Sequence, residues 1–171
     1  MNIELFAAGV TLLALLCGLV MLIVLTIIDF KEKLLPNKYV FVFAISGLLF
    51  HVMTEFRIIE ATSMLYGAIV GGGFLFLIRA IGNRHYKQES LGMGDVKLMA
   101  AAGLWLGPIY VIHAITIGAS LGIIHGVVYA VVKKEPLKKL EIPFGPGLIA
   151  GTVIVLGWVL GHNLSLWLGV L

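Results

Sequence analysis

The sequence predicts an all-α, polytopic membrane protein with six transmembrane helices and both termini on the outer side. Three observations carry that expectation: composition, recurrent apolar runs and the placement of basic residues. Of the 171 residues, 60% are hydrophobic and only 12% are charged, whereas an ordinary soluble domain is about half apolar and about a quarter charged. Apolar runs near the roughly 20 residues that cross a bilayer recur along the whole length. No polar stretch is long enough to build a separate soluble core, so residues 1–171 read as a single membrane-embedded domain.

Hydropathy places spans at 5–28, 39–54, 61–81, 96–108, 109–132 and 142–160. The first has no basic n-region and no small-residue cleavage site, and it is too long for a signal-peptide core, so it reads as a retained span. The second follows the polar connection 29–38 and ends before 55–60, and the third carries Gly71-Gly72-Gly73. The fourth is short: a helix over 96–108 rises about 20 Å, against a hydrocarbon core of about 30 Å. Either its cytoplasmic end starts below the membrane surface, leaving Asp95 in a watery recess, or it stops short at Pro108. A tight turn at Gly107-Pro108 leads into the fifth span, where Gly118, Gly122 and Gly126 recur at four-residue spacing. Gly147 and Gly151 repeat that spacing on the sixth. Such residues let helix backbones approach closely in lipid. Packing within the chain is the ordinary use, and a groove for a substrate's membrane helix is the functional one.

Orientation follows from charge. The connections 29–38, 82–95 and 133–141 and their flanks hold Lys31, Lys33, Lys38, Arg79, Arg84, Lys87, Lys97, Lys133, Lys134, Lys138 and Lys139, while the other side has only Arg57. The positive-inside rule makes the first side cytoplasmic. Trp105, Trp158 and Trp167 then fall near outer ends of their spans, where interfacial aromatics are expected. A net charge of +3 distributed this way speaks for membrane topology and not for nucleic acid. The single cysteine, Cys17, permits neither an intrachain disulfide nor a zinc cluster. His113 and His125 sit about 120° apart around a helix, and no His-Glu-x-x-His pattern implies a metal protease. Gly-x-Ser-x-Gly, P-loop and dinucleotide patterns are absent too. No metal or cofactor is expected.

The acids are more informative. Asp29 ends the first span and Asp95 begins the fourth, both on the basic side. Ionisable groups at such positions are costly and point to function. Asp95 stands where an N-cap would, but a cap does not require Gly92 and Gly94 beside it. Two side-chain-free positions offer a ledge on which an extended peptide pairs with the backbone. Two facing carboxylates cannot both ionise cheaply, so they share one proton. The charged member then serves as general base on water, and the protonated member donates to a scissile carbonyl.

Three blocks carry a resemblance to the type IV prepilin peptidases, membrane aspartyl proteases of the Gly-x-Gly-Asp class. They are "TIIDFKEKLLPNKY", with Asp29 seven residues before Pro36; "ESLGMGDVKLMAAAGLWLG", around Asp95; and "IPFGPGLIAG", entering the last span. Their order and spacing agree over essentially the whole chain. The resemblance implies that Asp29 and Asp95 are the catalytic pair. It implies removal of a short basic leader from prepilin or pseudopilin precursors at the cytoplasmic face of a prokaryotic inner membrane, just after a glycine. Larger members carry an N-terminal segment with paired cysteines and also N-methylate the product. The present sequence shows no such segment and no S-adenosylmethionine site, so peptidase activity alone is expected. Supporting roles fall to Pro36, which fixes the chain's exit from the first span, to Asn37 beside it, and to Gly92 and Gly94. Lys97 either attracts the carboxylates or snorkels to headgroups, and Glu89 reads as a solvated loop charge. The rivals are a proton or solute transporter using the aspartates as a relay and a non-catalytic secretion-assembly protein.

Overall fold

A computed structural model describes residues 3–87, 89–134 and 143–163. Trp167, Lys138, Lys139 and most of the 133–141 connection lie outside the described residues. Among the described residues five helices follow one another: α1 (Ile3–Glu32), α2 (Asn37–Met53), α3 (Ala61–Tyr86), α4 (Met93–Lys133) and α5 (Gly145–His162). Among the described residues there is no strand. α1, α3, α4 and α5 are long and apolar enough to cross a membrane, and α2 is a shorter apolar helix. Ile3, Leu13, Leu65, Ile69, Ile123 and Val131 are exposed on the outside of the bundle, as a lipid-facing surface requires. Helices are the natural answer there, since each satisfies its own backbone.

α4 is two arms joined at a break. Gly107 has φ 73° and ψ 178°, a region open essentially to glycine alone. Pro108 follows, with no N–H to bridge the break. The contacts on α3 give the direction of each arm. Gly67 lies against Gly103 and Gly107, while one turn further Gly71 lies against Met99 and Val111. The arms therefore run antiparallel, as a hairpin along α3. The second arm pairs antiparallel with α5, Gly118 meeting Gly147 and Leu148, and Gly151 meeting Ala114 and Gly118. The glycine repeats are thus occupied by packing within the chain. The first arm also starts at Met93, earlier than hydropathy placed it, because the Gly-Met-Gly-Asp turn is helical without being apolar. α3 likewise runs past 81, its last turn carrying Arg84 and His85.

The centre of the bundle is Trp105, only 1% exposed. Its indole Nε1 donates to the Phe43 carbonyl at 2.9 Å, and its ring stacks on Phe43 with centroids 5.6 Å apart. Gly18 of α1 and Gly47 of α2 make room for it: a methyl on Gly18 would lie 2.6 Å from Trp105 Cζ2, and one on Gly47 2.5 Å from Nε1. The expectation of an interfacial Trp105 is therefore corrected. An indole N–H away from water needs an acceptor, and Phe43 supplies one. His51 is also buried, its Nε2 3.1 Å from the Trp105 carbonyl. Trp158, by contrast, is exposed and meets Tyr110 edge-on.

Gly107→Ala is expected to lower stability by about 1–3 kcal/mol, the cost of forcing a side chain into that backbone region. Gly73→Ala, where an added methyl meets open space, should be neutral or stabilising by up to about 1 kcal/mol. Thermal unfolding in detergent checks the pair.

Candidate active site

Asp29 occupies the last turn of α1 and is 4% exposed. The helix stops just beyond it: Lys33 adopts the left-handed conformation, φ 53°, and its N–H returns to the Asp29 carbonyl at 2.9 Å. Pro36 then caps α2 in an extended conformation, its carbonyl accepting from the Tyr39 and Val40 N–H groups at 3.1 and 3.4 Å. A proline here also holds Leu35 away from helical geometry. That forces the chain around the end of α1 and drives Leu35 inward, where it is buried.

Asp95 is 8% exposed in the first turn of α4. It is not the cap: the cap is Gly92, and Asp95 is the third helical residue. An acidic side chain at that third position faces back toward the N–H of the cap, and the Gly92 backbone is directed at the Asp95 carboxylate. The incoming loop is tied to α3. Arg79 donates to the Leu91 carbonyl at 2.8 Å and to Glu89 Oε1 at 2.9 Å, and Asn83 Oδ1 accepts from the Ser90 N–H and hydroxyl at 2.8 and 3.0 Å. Glu89 is thus ion-paired with Arg79, although its side chain stays exposed.

The two carboxylates lie at the same end of the bundle, within electrostatic reach of each other. Leu35 stands between their supporting backbones. A methyl on Gly94 would lie 2.8 Å from Leu35 Cβ; one on Gly145 would lie 3.3 Å from Leu35 Cδ1 and 2.5 Å from Asp29 Oδ2. Gly94 is therefore filled by Leu35 and is not an open ledge, which corrects half of the expectation. Gly92 remains exposed, and a methyl there would meet only Asp95 Oδ2 and its neighbours, the closest at 3.1 Å. The Gly145 backbone points to the Asp29 carboxyl group. Oδ2 is nevertheless buried with no hydrogen-bond partner of ordinary geometry among the described residues.

The Lys97 ammonium donates to Asn37 Oδ1 at 2.9 Å and does not pair with the carboxylates. Lys97 and Asp95 are two residues apart, about 200° around the helix, so the cation faces away from the acids. Leu35 and Gly145 are the contributors that sequence reasoning missed. Both sat inside recognisable blocks, but only packing reveals their contacts. Among the described residues, no group of histidine, cysteine or acidic side chains is arranged to hold a metal ion.

The molecule is a bundle of apolar, membrane-length helices with two buried aspartates at one end. Residues 10–127 match the type IV leader peptidase family, and the chain belongs to that family. It is 36% identical over 137 residues to a prepilin leader peptidase/N-methyltransferase of Escherichia coli K12, covering 79% of this chain and 58% of the relative. Similarity to the enzyme of that name from Aeromonas hydrophila is 33% over 161 residues, 92% of this chain and 52% of the relative. Leader peptidase HopD of Escherichia coli is 35% identical over 132 residues, 76% of this chain and 82% of the relative. The chain thus spans about half the length of the bifunctional relatives. No solved structure matches it.

Gly145→Ala should overpack the Asp29 carboxyl group and destabilise by about 1–3 kcal/mol. Gly157→Ala, on the same helix but with open space around it, should stay neutral or gain up to about 1 kcal/mol. Denaturation in matched detergent distinguishes them.

Proposed function

We propose that this protein removes the leader peptide from prepilin or pseudopilin precursors, with Asp29 and Asp95 as the catalytic dyad. What supports the reading is that two buried carboxylates, from α1 and α4, lie within electrostatic reach of each other at one end of the bundle. Two such groups hold one proton between them. The ionised member takes a proton from water, and the resulting hydroxide attacks the scissile carbonyl while the protonated member donates to its oxygen. Collapse of the tetrahedral intermediate breaks the C–N bond and returns a proton to the leaving amine, so no cofactor or metal enters the balance. Gly92, Gly94, Pro36 and Asn37 hold the loops around the pair, and Lys97 braces Asn37.

Membrane topology is part of the proposal. The two arms of α4 count as separate crossings, giving six with α1, α2, α3 and α5 and leaving both termini outside. The end that carries Asp29 and Asp95 also gathers Lys31, Lys33, Lys38, Arg79, Arg84, Lys97 and Lys133, which supports its facing the cytoplasm at the inner membrane. A basic leader emerging from the membrane on that side would reach the dyad there.

Co-expression with a candidate prepilin tests the reading by mass spectrometry of the precursor. Wild type should release the leader, whereas Asp29→Asn and Asp95→Asn should each lose about three orders of magnitude or more, because the pair acts as a unit. Undiminished processing by either variant would refute the proposal. A second expectation is a bell-shaped dependence of kcat/KM on pH, one limb for each macroscopic ionisation of the pair. A flat profile across the acid range would exclude proton sharing.

A further inference from the structure

A cavity lined by neither Asp29 nor Asp95 lies beside α4. It has a volume of about 410 Å³, within the range of small-ligand sites. α2 and α3 both pack against α4, and the cavity opens between them. Its floor is Ala100, Ala101 and Leu104 of α4, with Val40 and Ala44 on one wall and Ala68 on the other. Lys97 and Asn37 stand together at one end. On α4, residues 97, 100, 101 and 104 form one stripe at helical spacing, whereas Asp95 belongs with the buried Leu98, Met99 and Ala102. The slot and the aspartates therefore use different faces of the same helix, so a peptide bound at the acids does not fill it.

We infer that this slot binds one anionic phospholipid, its phosphate on Lys97 and Asn37 and an acyl chain along Ala44, Ala100 and Leu104. Charge selects this occupant. The only hydrogen bond of the exposed Lys97 ammonium among the described residues goes to a neutral amide oxygen, with no carboxylate paired to it. A lysine at a helix end attracts an anionic headgroup, and the Asn37 amide can turn its NH₂ to donate to the same phosphate. Length agrees. From Lys97 to Leu104 the helix rises about 10 Å, so the polar end sits at the helix terminus and the apolar part runs into the bilayer. The bound lipid would brace the start of α2 against the first turn of α4.

The test uses full-length protein purified in detergent and exposed to phosphatidylglycerol or phosphatidylcholine, with retained lipid counted by native mass spectrometry. One phosphatidylglycerol should remain per chain and phosphatidylcholine should not. Lys97→Met should lower retention about fivefold, Lys97→Arg should preserve most of it, and Lys31→Met should leave it unchanged. Ala100→Leu, which fills the floor, should abolish it. Equal retention by Lys97→Met and wild type, or of the two lipids, would overturn the inference. Displacement by millimolar inorganic phosphate would assign the mouth to a free anion, and one-for-one displacement by a synthetic transmembrane peptide would assign the slot to a protein partner; either result also overturns it.

Discussion

Close approach of helix backbones is the constraint on which this structure depends. Between helices in lipid there is no strong hydrophobic drive to associate, so van der Waals contact and internal hydrogen bonds must hold the bundle. Gly67 against Gly103 brings α3 onto the first arm of α4, and Gly118 against Gly147 brings α5 onto the second. With both arms pinned, the Gly107 break has one solution, a hairpin. Trp105 adds the lateral tie, since its ring fills the space that Gly18 and Gly47 leave in α1 and α2. The ends of α1, α4 and α5 converge because these contacts lock their bodies.

That convergence creates an electrostatic problem which the chain contains instead of removing. Two buried carboxylates lie within electrostatic reach of each other, an arrangement that opposes ionisation of both. Their surroundings differ. Asp95 faces the backbone of its own helix cap, whereas Asp29 Oδ2 is buried without an ordinary hydrogen-bond partner among the described residues. Leu35 packs between Gly94 and Gly145, and the loop between α3 and α4 is strapped by Arg79 and Asn83. The cost of such a pair is tolerable only in a scaffold that packing holds firmly. Here that scaffold consists of three helix ends, which explains why the wedge residue between them is apolar.

Much of this was legible in the sequence, for identifiable reasons. Long apolar runs announce membrane helices because lipid imposes length and composition together. Asp29 and Asp95 stood out because each abuts such a run, where a charge needs a reason. The start of α4 was not legible: Gly-Met-Gly-Asp has little hydropathy, and only the structure shows the Asp95 carboxylate facing back toward Gly92. Trp105 misled because an indole near the end of an apolar run satisfies the interface rule equally well; only the Phe43 carbonyl, brought near by α2, shows that it is core. Leu35 and Gly145 could not be found by pattern at all, since their contacts join segments remote in sequence.

The placement of Gly92 as cap changes the chemistry available at the α4 terminus. A strand-like ledge would offer alternating donors and acceptors to an extended peptide. A helix start offers donors, because the first N–H groups have no partner within the helix, and its dipole favours negative charge. The Gly92 amide faces Asp95, and the first N–H groups of the helix follow it beside an exposed glycine. On the proposed mechanism, a carbonyl presented there would gain in the transition state, when its oxygen carries charge, more than in the ground state. That differential is what catalysis requires. On that proposal, the helix terminus that holds Asp95 in position would also stabilise the oxyanion formed beside it.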